Sequence, residues 1–330
     1  MKIILVSMQW NYNRPEEGHS FEYWNFHEPL RRIIGQDMLL PYDFADKLRV
    51  HGRQEAEATL VECVKSMRPN LVLFIPFAEH SNPSRATWDE CRKVSPSTKF
   101  WAWSCDSSWR YEKLDRPLAA IMDKVVSTSG AARAWYERDG LGDKYAHCQW
   151  AVDLAQYPDA PLGADARCID VSFTGQGYGK RKEYLESVSS AARSLEKTAC
   201  FRGGEIKGGR CSRDEMIAMY LHSRLVINFT SSWQPGPPQL KARLFEAAAC
   251  GAAVLQEEHP ELQDCFESRD DATREVLTWS GGPDELGKCV HSALQRKDLL
   301  DIGRRARVRV ESDHTWKRRW TKLLPLVGGV

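Results

Sequence analysis

The sequence predicts an α/β protein made of two domains, each a parallel sheet covered by helices on both faces. Three observations predict this. Short apolar runs alternate with amphipathic helical stretches along nearly the whole chain, joined by short connections. The alternation breaks once, from Trp150 to Arg167, where Pro158, Pro161 and Gly163 cluster, and then restarts. The length of 330 residues favours two domains over one and allows substantial cores without disulfide or metal staples.

In the first half, Lys2–Met8 is a continuous apolar run, as a strand buried on both faces requires. A polar loop follows and holds Glu17-Gly18-His19-Ser20; Phe21–Ile34 then reads as an amphipathic helix. Met38–Leu40 is a second short strand, Gln54–Met67 a helix that stops before Pro69, and Leu71–Pro76 an apolar strand. Ser84–Val94 reads as a helix, Lys99–Ser104 as a strand, Lys124–Ser127 as a strand, Ala131–Arg138 as a helix and Tyr145–Trp150 as a strand. The second half opens with the strand Ile169–Thr174, the helix Lys180–Leu195 and the strand Thr198–Arg202. Ser212–His222 has Ser212 as cap and Glu215 three residues on, a capping box. Leu225–Thr230 is a strand, and Gln239–Cys250 turns from loop into a helix that Gly251 ends in the left-handed conformation. Ala252–Leu255 and Glu275–Trp279 are strands; Asp284–Gln295, Leu299–Val310 and His314–Leu324 are helices.

Formal net charge is +1, with 46 basic and 45 acidic residues, so no global field favours nucleic acid or an anionic membrane. The ten cysteines include no Cys-x-x-Cys pair, and no run has the spacing of zinc ligands. They read as reduced, mostly buried thiols of a cytoplasmic protein. Lys2–Met8 is too short for a signal-peptide core and reads as a strand, and no apolar run is long enough to span a membrane.

Ligands of open parallel sheets bind beyond the carboxyl ends of the strands, so the loops there are the candidates for chemistry. One is Gln239-Leu-Lys241-Ala-Arg243-Leu-Phe-Glu246, at the start of a helix. Cations in a first turn oppose the helix dipole, and they make sense beside an anion such as phosphate. The alternative is a surface pair of Arg243 with Glu246 and a solvated Lys241. A second is Phe173-Thr-Gly175-Gln176-Gly-Tyr-Gly179-Lys180-Arg181, a glycine-rich turn from strand to helix with two cations. It is neither Gly-x-Gly-x-x-Gly nor a Walker loop. The two junctions together point to a diphosphate. In the first half, Gly18 lets a loop approach a ligand, and His19 reads as a general base, a hydrogen-bond donor or a plain surface histidine. Asp106 ends a strand beside Trp109 and Arg110 and reads as a base, a sugar-hydroxyl acceptor or a cap. Trp150 leaves the last strand and reads as either a ligand-facing ring or packing.

The chain resembles the spore-maturation-protein-like glycosyltransferases of the GT-B superfamily, relatives of the family-four retaining enzymes. The resemblance runs through Phe21-Glu-Tyr23, Trp103-Ser-Cys-Asp106-Ser-Ser-Trp109-Arg110 and Gln149-Trp150-Ala151 with Asp153. It continues through Val171–Gln176 with Gly179-Lys180-Arg181, Arg224–Phe229, Lys241–Glu246 with Cys250-Gly251, and His314-Thr-Trp316 with Arg319. It implies a GT-B architecture: two Rossmann-like domains facing across a cleft, and a C-terminal helix crossing back to the first. The expected boundaries are an acceptor-side domain over 1–155, a linker over 156–167, a nucleotide-sugar domain over 168–312 and the returning helix over 313–330.

By the same resemblance Gly175, Gln176, Lys180, Arg181, Lys241 and Arg243 hold a donor diphosphate, and Glu246 accepts from the ribose hydroxyls. The relatives' Glu-x7-Glu motif has another Glu eight residues earlier; Pro238 stands there instead, which puts a retaining mechanism in doubt. No Asp-x-Asp motif is present, which agrees with a transferase that requires no metal or cofactor beyond its donor. The expectation is therefore a glycosyltransferase using a nucleotide sugar, UDP-linked foremost. Its catalytic candidates are His19 and Asp106, and its acceptor-side residues are Gly18, Trp109, Arg110 and Trp150. The acceptor is left open among glycan, protein, small molecule and modified DNA base. The rival readings are a phage-type DNA-base glycosyltransferase, a sugar-nucleotide epimerase and a non-catalytic nucleotide-sugar binder.

Overall fold

The structure is a computed structural model that describes residues 1–77, 81–232, 234 and 236–328, the side chain of Ser108 aside. The chain forms two compact units, Met1–Gln149 with Trp316–Val330, and Trp150–Thr315.

The first unit contains strands β1 (Ile3–Val6), β2 (Leu39–Tyr42), β3 (Leu71–Phe74), β4 (Lys99–Ser104), β5 (Lys124–Ser127) and β6 (Tyr145–His147). They form one parallel sheet in the order β2-β1-β3-β4-β5-β6. The helices are α1 (Glu28–Ile34), α2 (Phe44–Met67), α3 (Arg85–Val94), α4 (Ser107–Arg110), α5 (Arg116–Ala119) and α6 (Arg133–Arg138). β1 and β3 are buried at every residue, which is why their sequences read as unbroken apolar runs.

Two features depart from the sequence reading. The helix expected from Gln54 begins at Phe44, because the Asp43 carboxylate caps it by accepting from the Asp46 N–H at 3.0 Å. The chain then kinks at Gly52, whose φ is +79°. The helix expected over Phe21–Ile34 widens to a π turn at Tyr23–His27. Pro29 has no N–H to offer the preceding turn, and the Asn25 side chain donates to the Phe21 carbonyl at 3.1 Å.

The second unit contains β7 (Ile169–Thr174), β8 (Ala199–Arg202), β9 (Ser223–Asn228), β10 (Ala253–Glu257) and β11 (Leu277–Trp279), all parallel, in the order β11-β10-β9-β7-β8. Its helices are α7 (Arg181–Arg193), α8 (Arg213–His222), α9 (Ala242–Ala249), α10 (Pro283–Gln295) and α11 (Leu299–Asp313). Ser212 and Glu215 form the capping box of α8, and Gly251 after α9 is left-handed at φ +66°. Residues 150–167 belong to this unit, where Tyr157 and Arg167 are buried. Arg167 donates to the carbonyls of Ser223 at 2.6 Å, Cys250 at 3.0 Å and Gly251 at 2.8 Å, tying the ends of α8 and α9 together.

The last helix, α12 (Trp316–Leu323), returns to the first unit. Trp316 and Trp320 are fully buried against Trp103, and Trp316 also meets Phe26. Trp316 donates to Asn25 at 3.3 Å and Arg319 to the Gln149 carbonyl at 2.9 Å. His314 stays in the second unit, bonded to the Cys265 carbonyl at 2.8 Å.

Both sheets share one strand order. The first strand of each sits between the second and the third, so the chain reverses its direction of winding there. Loops leaving the carboxyl ends of β1 and β3, and of β7 and β9, therefore border a switch point, where open α/β sheets bind ligands.

Candidate functional site

In the second unit the switch point is bordered by Gly175–Lys180, after β7, and by Phe229–Lys241, after β9. Gly175 has φ +151° and donates its N–H to the Arg202 carbonyl at 2.9 Å, extending the β7–β8 ladder by one residue. A Cβ on Gly175 would stand 2.8 Å from the Phe173 ring and 3.1 Å from Cζ of Arg243. The missing side chain is what lets the Arg243 guanidinium lie against this loop.

Arg181 opens α7 and is buried. It donates to the Gln176 carbonyl at 3.1 Å and to the Ser231 carbonyl at 2.5 Å, so it pins the β7 loop to the β9 loop. Its guanidinium stacks over Tyr178 at 4.2 Å and Phe229 at 5.1 Å. Burial first, and the charge of Arg243 second, lower its pKa to about 10. Arg243 sits in the first turn of α9, and among the described residues it makes no hydrogen bond and no ion pair; its Nε is buried. Lys241, the N-cap of α9, donates to Ser232 Oγ at 2.6 Å, next to the serine that Arg181 holds. Three of the expected cations thus gather around these two loops. Lys180 is exposed, and among the described residues its side chain makes no hydrogen bond or ion pair that joins it to the other three.

Glu246 does not pair with Arg243, as their spacing on the helix invites. It is buried and faces Arg213 of α8, Nη1 to Oε1 at 3.4 Å. Arg213 also donates to the Tyr157 hydroxyl at 3.1 Å. Burial opposes the Arg213 charge, but Tyr157 and Glu246 outweigh it and raise the pKa. The second Glu246 oxygen has no hydrogen-bond partner among the described residues. No local pattern singles out Arg213, whose partners lie 33 and 56 positions away.

Gln176 lays its side chain over Gly204, where a Cβ would come within 2.0 Å of Oε1. Gly203, with φ +149°, would collide with the Gly175 carbonyl at 1.6 Å if it had a Cβ. The glycines of the β7 and β8 loops are therefore needed for the loops to touch each other.

In the first unit, Gly18 is exposed with φ +77°. His19 pairs with Trp10 through an isolated antiparallel bridge and is stacked between Trp10 and Tyr23. Asp106 precedes α4, and its carbonyl accepts from Trp109 at 3.3 Å and Arg110 at 3.2 Å. Arg110 lies over the Trp109 ring at 5.6 Å and donates to the carbonyls of Pro76 at 3.0 Å and Phe77 at 2.8 Å, just beyond β3. Trp150 is buried and is the first residue of the second unit, not of the first.

Residues 163–325 match the family described as glycosyl transferase-like. That stretch covers the loops after β7 and β9 and also α12. Among solved structures, the chain is similar to sucrose-phosphate synthase from Thermosynechococcus elongatus, at 14% identity and TM-score 0.64, covering 99% of this chain and 98% of that one. It is similar to a glycosyltransferase from Rickettsia africae, at 12% identity and TM-score 0.62 over 99% and 97%. The UDP-GlcNAc 2-epimerase of Methanocaldococcus jannaschii aligns at 10% identity and TM-score 0.52 over 98% and 99%. No curated protein matches the chain in sequence. The fold is that of the GT-B glycosyltransferases. Among the described residues no helix is long and apolar enough to cross a membrane.

Proposed function

We propose that this protein transfers a sugar from a nucleotide diphosphate sugar, UDP-linked, to an acceptor hydroxyl. One observation carries the reading. Arg181 and Arg243 repel each other beside the Gly175 loop, and Arg243 has no carboxylate partner among the described residues. Two converging cations, neither in an ion pair among the described residues, at a helix start on a switch point, match the leaving diphosphate of such a donor. Glu246 keeps one oxygen for the ribose while Arg213 holds the other.

In the reaction the bond from the anomeric carbon to the phosphate oxygen breaks, and its electron pair leaves on the nucleoside diphosphate. The acceptor oxygen bonds to that carbon and gives up its proton. Arg243, Arg181 and Lys241 stabilise the charge on the leaving group, the part a divalent ion plays in other transferases. If the anomeric centre inverts, His19 or Asp106 takes the proton, and the loops of the first unit serve the acceptor.

The test is titration of Arg243→Ala with UDP by calorimetry. Loss of one charge-assisted contact, about 1.5–3 kcal/mol, weakens binding by about tenfold to a hundredfold while far-ultraviolet circular dichroism is unchanged. Wild-type affinity in this variant removes the phosphate role. A second reading is epimerisation of the nucleotide sugar, favoured by the full-length fold match to the 2-epimerase. Product analysis without acceptor separates the two: an epimerised nucleotide sugar upholds epimerisation, and an unchanged donor upholds transfer.

A further inference from the structure

We infer that the first unit carries a preformed pocket for one neutral, polyhydroxylated ring of monosaccharide size, the acceptor class for the transfer proposed above, on which this assignment rests. A cavity of about 260 Å³ opens beyond the carboxyl ends of β1 and β2, lined by Ser7, Gln9, His19, Tyr23, His27 and Asp43 among others. Its size lies just below the range of drug-sized ligand pockets, about 300–1,000 Å³, which suits a single ring and not a chain of them.

One wall is made by His19, Tyr23 and His27, three members of a column of four rings that Trp10 completes. Trp10 to His19, His19 to Tyr23 and Tyr23 to His27 are separated by 4.3, 3.7 and 4.7 Å, with interplanar angles of 11°, 9° and 21°. The π turn places Tyr23 and His27 in this column. The inner rings spend their faces on one another, so what they offer the cavity is edges, and an imidazole edge carries nitrogen. His19 Nδ1 is buried without a hydrogen-bond partner among the described residues. His27 Nδ1 lies 3.5 Å from Glu28, at the limit of a hydrogen bond. Hydroxyl groups can both donate to and accept from an imidazole edge, so a polyhydroxylated ring suits this lining.

The charge of the lining selects further. Among the described residues it holds no lysine and no arginine. Its one carboxylate, Asp43, accepts from the Gln9 N–H at 2.7 Å and the Asp46 N–H at 3.0 Å. Burial lowers the His27 pKa below its ordinary value, against the pull of Glu28. No lysine or arginine of the lining is there to pair with a phosphate, in contrast to the three cations at the donor loops. A phosphorylated sugar is thereby disfavoured and a neutral one accepted.

The experiment is saturation-transfer NMR on the full chain with glucose, N-acetylglucosamine, glucose 6-phosphate and maltoheptaose, beside a UDP thermal-shift measurement on the same sample. The expected result is binding of at least one neutral monosaccharide, with glucose 6-phosphate and maltoheptaose weaker by about fivefold or more. His19→Phe and His27→Phe keep the ring column and remove its nitrogens, and each should weaken the sugar signal by a similar factor. Equal binding of glucose 6-phosphate, or sugar signals unchanged in both variants, overturns the pocket. A UDP shift without any neutral-sugar signal overturns the pocket and leaves the transfer reading standing. No UDP shift overturns the transfer reading, and a sugar signal lost in His27→Phe then upholds the pocket as a sugar site.

Discussion

Arg243 depends on an absence, the side chain that Gly175 lacks. Gly175→Ala adds a methyl 2.8 Å from Phe173 and 3.1 Å from the Arg243 guanidinium, at a φ that L residues avoid. The guanidinium must shift, so UDP affinity should fall by about tenfold or more, as one charge-assisted contact implies. Gly179 is the control: its φ is +57°, and a Cβ there meets nothing within 4 Å. Gly179→Ala should cost about 1–2 kcal/mol of stability and leave UDP affinity as it was; calorimetry and urea unfolding on both variants check this. His27 gives a pH dependence of its own. Burial, then Arg31 and His19, lower its pKa below the usual 6.5, while Glu28 opposes them. Above 6.5 both folded and unfolded states are neutral, and the stability is fully present. As pH falls through the folded pKa, the unfolded state has taken up the proton first and the fold loses stability. Urea midpoints at about pH 7.5 and 5.5 should separate further in the wild type than in His27→Phe. An equal separation in both would assign the loss to other groups.

Helices α8 and α9 meet through Arg213 and Glu246, side chains that are 12% and 4% exposed. Breaking a buried pair from one side leaves a charge in low dielectric, at about 3–5 kcal/mol. Arg213→Leu should therefore lower the unfolding midpoint sharply, and adding Glu246→Gln should recover part of the loss; independent, additive losses would show that the two are not coupled. This contact also marks the limit of sequence reading. The capping box of α8 was legible because Ser212 and Glu215 are three residues apart and the chemistry is local. The strand–helix alternation was legible because burial on both faces forces unbroken apolar runs. The cation-rich helix start was legible because charge against a dipole is anomalous. Glu246 looked like the partner of Arg243 by the same local logic. Its real partner comes from another helix, and periodicity holds no information about which helices are neighbours. The ring column was hidden for a similar reason: Trp10 and His19 meet through a bridge across a polar loop, and the π turn that brings in His27 breaks the helical spacing.

At the scale of the whole molecule, the first unit is discontinuous in sequence: residues 1–149 are completed by α12 from the far end of the chain. Trp316 and Trp320 are 1% and 0% exposed, packed on Trp103 of the central strand β4, and Trp316 reaches Phe26 in the π turn beside His27. A buried Trp→Ala change costs about 3–5 kcal/mol, and a domain is stable by about 5–15 kcal/mol. Loss of both rings therefore approaches the full stability of the unit. The second unit has its own core, in which β7, β9 and β10 pack with α7, α10 and α11 through residues such as Phe173, Ile227, Leu255, Val290 and Ile302. A chain cut after Thr315 should therefore lose amide protection across residues 1–149, with the π turn and β4 affected most, and keep it across 150–315. Hydrogen exchange read by mass spectrometry on the cut and intact chains measures this peptide by peptide. UDP binding, assigned above to loops of the second unit, should survive the cut, whereas binding of neutral sugar should vanish with the ring column that α12 braces through Phe26. Protection retained in β1 and β4 after the cut would mean that the N-terminal sheet closes its core without the returning helix, and the tryptophans would then be surplus to its folding.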